Sequence, residues 1–144
     1  MTTYPHLSIL IDALTNGLRL EYPIQAFANI EQVTLQGTPS VFLIPDDCPV
    51  IDSIQGGRTI TSLRLRQDWT VLTVLRDASD QKVTEPLITQ LGEWQARIVN
   101  LLMKEILPLG GPIKILEFPK AESIDGGAIA GKLRFQTQFV FNAE

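Results

Sequence analysis

The sequence predicts an α+β fold: two helices packed on one face of a mainly antiparallel sheet, with a long β arm projecting from the body. Three observations carry this. Two segments repeat apolar residues at helical spacing. Several apolar or alternating runs are fenced by proline, glycine and aspartate. Between the helices, Gly57 to Arg76 (GRTITSLRLRQDWTVLTVLR) runs without a proline or an internal glycine.

Leu7, Leu10, Ile11, Leu14 and Leu18 recur at three- and four-residue spacing, Pro5 suits a first helical turn, and Asn16-Gly17 offers a stop, which predicts a helix over about residues 5–17. From Arg19 to Gly37 the pattern weakens, and Tyr22-Pro23 breaks any helix. Val41-Phe42-Leu43-Ile44, between Thr38-Pro39 and Pro45-Asp46-Asp47, reads as a short strand buried on both faces. Residues 45–57 hold two prolines, three aspartates and Gly56-Gly57, and read as a polar loop.

The long run then reads as one strand of about twenty residues, where strands of five or six are usual. At roughly 3.3 Å per residue it approaches ~60 Å, beyond the roughly 30 Å span of a domain this size. Part of it must therefore project. From Trp69 onward both faces are largely apolar, as in a core; before Asp68, Leu63 and Leu65 alternate with Ser62, Arg64 and Arg66, as in an arm. A projecting strand with open edges invites aggregation unless a partner covers it, so the chain is expected to assemble with others.

Asp77 to Asp80 reads as a turn and Thr84 as a helix cap. Leu87, Leu91, Trp94, Ile98, Leu101 and Leu102 mark one face of a helix that begins near Pro86 and ends in the stretch Leu107 to Pro112. A strand at about 113–118 stops at Pro119, Ala121 to Gly127 is a loop, and Leu133, Phe135, Thr137, Phe139 and Phe141 alternate with Lys132, Arg134, Gln136 and Gln138 in a last strand with one wet face.

The 144 residues, 44% hydrophobic and 19% charged, fit one domain spanning 1–144 with a real core. The net charge of −4 gives no electrostatic case for wrapping nucleic acid. No apolar run reaches the roughly 18 residues of a membrane span, and MTTYPH lacks the features of a signal peptide, so an intracellular location is expected. The lone Cys48 forms no internal disulfide.

Cys48 with His6 is the single thiol-imidazole combination, but Asp47 beside it opposes a thiolate, so Cys48 reads as a bystander. His6 has no second histidine with which to share a metal and reads as a surface or interface residue. Asp46, Asp47 and Asp52 suit a hard cation by type, yet match no EF-hand spacing and read as solvated turn residues. Gly56-Gly57 and Gly126-Gly127 lack a phosphate-loop context and read as hairpin or loop hinges. Trp94, spaced with leucines, belongs to the core or its edge. No catalytic site, metal site or cofactor is predicted.

One charge arrangement stands out. Residues 58–66 carry Arg58, Arg64 and Arg66 without an acid, whereas 45–57 carry Asp46, Asp47 and Asp52 without a base. Opposite charges on different patches suit a head-to-tail contact that closes into a ring; ordinary solvated charge is the other reading.

In size and element order the chain resembles the tail terminator, or tail completion, proteins of long-tailed bacteriophages and prophages. The likeness lies in an N-terminal helix (PHLSILIDALTNG), a proline-led apolar strand (TPSVFLIPDD), a long arm-forming strand (RTITSLRLRQDWTVLTVLRD), a Trp-bearing helix (EPLITQLGEWQARIVNLLM) and a closing pair (PIKILEF, GKLRFQTQFVFNA). The resemblance implies a non-enzymatic virion protein, a homo-oligomer forming a typically hexameric ring on the head-proximal end of the tail tube. There it stops tube polymerisation and meets the head-completion or connector protein, while genomic DNA passes the lumen without specific binding. Related folds in other neck and tail components share the pattern. An oligomeric adaptor outside phage biology and a small α+β hydrolase are the other classes.

Overall fold

The computed structural model describes residues 4–20, 24–26, 39–76, 85–104, 109, 113–124 and 127–143. The elements are α1 (Leu7–Leu18), β1 (Ser40–Pro45), β2 (Val50–Gly56), β3 (Thr59–Arg76), α2 (Glu85–Lys104), β4 (Lys114–Ile124) and β5 (Ala128–Asn142). The fold is α+β, with a five-stranded sheet in which every strand pairing is antiparallel. β3 and β5 are central, β4 forms one margin, and β1 and β2 share the other margin by pairing with successive halves of β3. The expected turn at 77–80, the Thr84 cap, the helix stop at 107–112 and most of 19–37 lie outside the described residues.

The helical spacing buries the side chains it implied. Leu10, Leu14 and Leu18 of α1 meet Ile98, Val99 and Leu102 of α2 and, from the sheet, Val41, Leu43, Trp69, Val71, Leu133 and Phe135, all in one cluster. Trp69 and Phe135 lie opposite each other in the β3–β5 ladder, both fully buried, with rings stacked 6.5 Å apart. Removing a side chain of this kind costs about 3–5 kcal/mol, so this pair anchors the body. Phe42, Leu72, Val74, Ala128 and Ala130 form a second buried cluster on the sheet's other face, which accounts for the continuous apolarity of β1 and of the second half of β3.

Four expectations are corrected. α1 does not stop at Asn16-Gly17; it runs to Leu18, and Arg19 makes the stop in the left-handed region (φ 54°), its N–H donating to the Asn16 carbonyl at 3.2 Å. Gly17 serves instead as the crossing point of the helices, since a β-carbon there would lie 2.7 Å from Leu101 Cδ2. The polar loop at 45–57 contains a strand, β2, whose seven residues are all exposed; with neither face buried, its sequence carries no burial rhythm. β4 does not end at Pro119 but continues to Ile124, through register shifts around Glu117. A margin strand tolerates proline because its outer N–H has no ladder partner to lose. β5 likewise starts at Ala128, where Ile129 is buried against Leu87 and Leu91 of α2 while Ala128 and Ala130 are buried on the sheet's other face.

Candidate assembly surface

β3 extends over 18 residues, and its two halves live differently. From Trp69 to Arg76 it runs between β1 and β5 within the body. From Thr59 to Gln67 it runs between β2 and the far end of β5, forming a three-stranded arm. The β2–β3 hairpin closes at Gly57, whose φ of 73° matches the glycine preference at the first position of a tight hairpin loop. The long strand and the hinge at Gly56-Gly57 are thus as the sequence implies.

The arm carries several apolar side chains, none of them fully buried. Register places Leu63 opposite Phe141 and Leu65 opposite Phe139 on the helix side, all half-buried. Ile54 (48% exposed), Ile60 (52%) and Val140 (46%) are exposed, and Val50 (53%) stands at the arm's root. Large apolar side chains are thus left open on the arm of the protomer.

A kink at residues 46–49 carries the margin from β1 to β2 and is tied to β3. The Asp46 N–H donates to the Asp68 carbonyl at 2.8 Å, the Asp68 N–H to the Asp47 carbonyl at 2.9 Å, and the Arg66 N–H to the Pro49 carbonyl at 3.0 Å. The buried Gln67 amide adds bonds to the carbonyls of Asp68 (2.8 Å) and Asp46 (3.1 Å). Thr70 Oγ1 donates to the Asp46 carboxylate. The root of the arm is therefore clamped by main-chain bonds on one side.

The six residues singled out by charge are not arrayed as two separate patches. Asp52 lies opposite Arg64 in the ladder and pairs with it at 3.7 Å, so these two face each other within one protomer. Arg66 Nε approaches the buried Asp68 carboxylate at 3.3 Å, and Arg134 reaches the same carboxylate at 4.0 Å. Arg134 in turn meets Glu117 of β4 at 3.9 Å, and Lys132 meets Glu122 at 3.4 Å. Arg58 sits exposed in the hairpin loop, while Asp46 and Asp47 are exposed in the kink. The separation by charge fails because β2 folds back on β3: stretches apart in sequence become neighbours across the ladder.

His6 is not a surface residue. It is buried at the start of α1, its Nδ1 3.0 Å from Thr137 Oγ1 and its ring edge-on to Phe139 at 5.8 Å. Trp69 Nε1 donates to the same Thr137 oxygen at 3.0 Å, so one hydroxyl joins helix, core and arm root. Burial lowers the His6 pKa. Partial desolvation of the sulfur, and then the Asp68 charge, raise the Cys48 thiol pKa. Cys48 lies exposed in the kink, and no hydrogen bond joins it to His6. Trp94 is half-buried beside both helix-side clusters, with the Arg97 guanidinium 4.4 Å from its ring; Arg97 also donates to the Leu18 carbonyl at the end of α1. Among the described residues no three His, Cys, Asp or Glu side chains gather as a metal site, and no helix is long and apolar enough to cross a membrane. A shallow groove of about 340 Å³ lies between α2 and β4, floored by Ala96 and Val99 and walled by Phe118 and Pro119; among the described residues no titratable side chain lines it.

No protein-family model matches this chain, and no curated protein matches it. Its role is read from its own geometry.

Proposed function

We propose that the protein is a structural assembly subunit of the tail-terminator kind, forming a ring that caps the head-proximal end of a phage tail tube and offers a joining surface to the head-completion protein. The observation that supports this reading is the arm: a rooted three-stranded projection whose apolar residues, Ile54, Ile60 and Val140, are half exposed in the protomer. Such a surface gains its area from neighbours, and a head-to-tail contact between unlike patches closes into a ring when the rotation permits. Ending a tube then needs no chemistry. One face of the ring matches a tube subunit and the other does not, so addition stops after one layer.

The test is incubation of the purified protein with polymerising tail-tube subunits from the same phage or prophage, viewed by negative-stain electron microscopy. Tubes blocked at one end by a ring are the expected result. Unaltered tube length and bare ends at a molar excess of the protein would overturn the reading. Reversing Arg64 together with Arg66 to glutamate should also abolish the ring, since this breaks the pairs with Asp52 and Asp68 that shape the arm.

A further inference from the structure

The helix side of the sheet is roofed in the body and bare on the arm. In the body, α1 and α2 cover Trp69, Val71, Leu133 and Phe135 of β3 and β5. That cover thins where His6, at the start of α1, meets Phe139. From there outward the same face of the same two strands carries Leu63, Leu65, Phe139 and Phe141, all half-buried. Ile60, 52% exposed, belongs to this face as well, because it lies opposite Gln55, two positions on from the Ser53 that faces Leu63. Arg64 and Arg66 alternate to the other face, so neither interrupts the apolar surface.

α2 has an apolar side left over. Ile88, Gly92, Ala96, Val99 and Met103 follow one another at helical spacing and form a stripe turned away from the leucines that α2 buries. Ile88 (49%) and Met103 (70%) are exposed at its two ends, and Phe118 of β4 (75%) stands beside the groove that Gly92 and Ala96 help to line. Gly92 is the telling residue. A glycine inside a helix costs about 1 kcal/mol relative to alanine. At Gly17 and Gly131 the protomer supplies the reason, since a β-carbon would strike Leu101 or Gln95, but at Gly92 it would meet nothing within 4 Å among the described residues. Close approach by another chain supplies a reason that the single chain does not.

We propose that the outer stripe of α2 in one copy docks on the bare helix-side face of the arm in the next, so that a second copy continues the helical layer that each chain leaves unfinished. The proposal rests on the ring-forming reading above and names the two surfaces that join. They are unlike surfaces on one chain, so the contact is head-to-tail and leaves each copy one free arm and one free helix for further neighbours. Their shapes are complementary: Ile60 and Phe141 offer large side chains, and the groove beside Gly92, Ala96 and Phe118 offers space. Their charges are complementary too. Arg58 at the arm's tip is exposed, as are Glu85 and Glu93 of α2, and none of the three forms an ion pair among the described residues. Attraction between them turns the tip toward the N-terminal half of the neighbour's α2. The stripe cannot serve its own arm, because α2 is seated by its other side on the body of its own chain.

The experiment compares wild type, an arm variant (Ile60→Asp with Phe141→Ser), a helix variant (Gly92→Glu) and an equimolar mixture of the two variants by sedimentation velocity. Each variant alone should raise the concentration needed for assembly by about tenfold or more. In the mixture, the helix variant still offers a sound arm and the arm variant a sound α2, so one good contact forms per pair and growth should stop at one-to-one heterodimers. If wild type assembles and either variant alone assembles equally well, or if the mixture yields no heterodimer or yields larger species, this contact is overturned while the ring reading stands. A wild type that is monomeric at every concentration, alone or on tubes, overturns the ring and this contact together. Gly92→Glu places its side chain where the protomer leaves open space, so the variant should fold as wild type does. Should it not, Phe118→Ser, at a side chain that is 75% exposed, takes its place with the same expected outcomes.

Discussion

At the residue scale, Thr137 carries more structure than its size suggests. Trp69 Nε1 donates to Thr137 Oγ1, which is also the partner of His6 Nδ1. Thr137→Val keeps the shape and removes the oxygen, leaving a buried indole N–H unpaired; the expected loss is about 1–3 kcal/mol in urea unfolding, with Thr137→Ser close to wild type. His6 adds a pH dependence of known sign. Its folded pKa lies below the ordinary 6.5 of the unfolded chain. As the pH falls through 6.5, the unfolded chain binds a proton that folded His6 does not, so stability declines until the folded pKa is reached and then levels. Since the chain has a single histidine, His6→Gln should flatten this part of the profile, which urea midpoints between about pH 5.5 and 7.5 would test.

At the element scale, α2 is seated on the sheet by a missing side chain. A β-carbon on Gly131 would lie 2.7 Å from Gln95 Cδ, and Gln95 Nε2 forms no hydrogen bond where it sits. Gly131→Ala should therefore push the end of the Gln95 side chain aside, at a cost of about 0.5–1.5 kcal/mol. Adding Gln95→Ala should recover most of that in a double-mutant cycle, and an additive result would sink the explanation. The elements legible in the sequence were those with a buried face: α1 and α2 from their leucines, β1 and the inner half of β3 from their apolar runs. β2 was illegible because all seven of its residues are exposed, so what holds it is the ladder to β3 and not any burial its side chains record. The extension of β4 past Pro119 was hidden for a related reason, since a proline that ends an inner strand is harmless on a margin.

At the scale of the whole molecule, the arm's existence was legible from length alone, while its electrostatics were not. Arg64 and Asp52 are twelve positions apart in the chain yet opposite each other in the sheet, and linear order could not disclose that they neutralise one another. The ring reading belongs to this scale, and its expected outcome is tail tubes that end at a ring when assembled with an excess of the protein.

The arm and the body share β3 without a break, and this bears on the entropy of association. An arm joined through a flexible linker must be frozen when it finds its neighbour, at roughly 1–2 kcal/mol per residue of backbone ordering. Here β2, the outer half of β3 and the end of β5 are already hydrogen-bonded to one another in the isolated protomer. That loss is met during folding of the single chain. In the ring proposed above, each subunit would therefore meet its neighbours preorganised, and a contact of modest area would suffice to hold them.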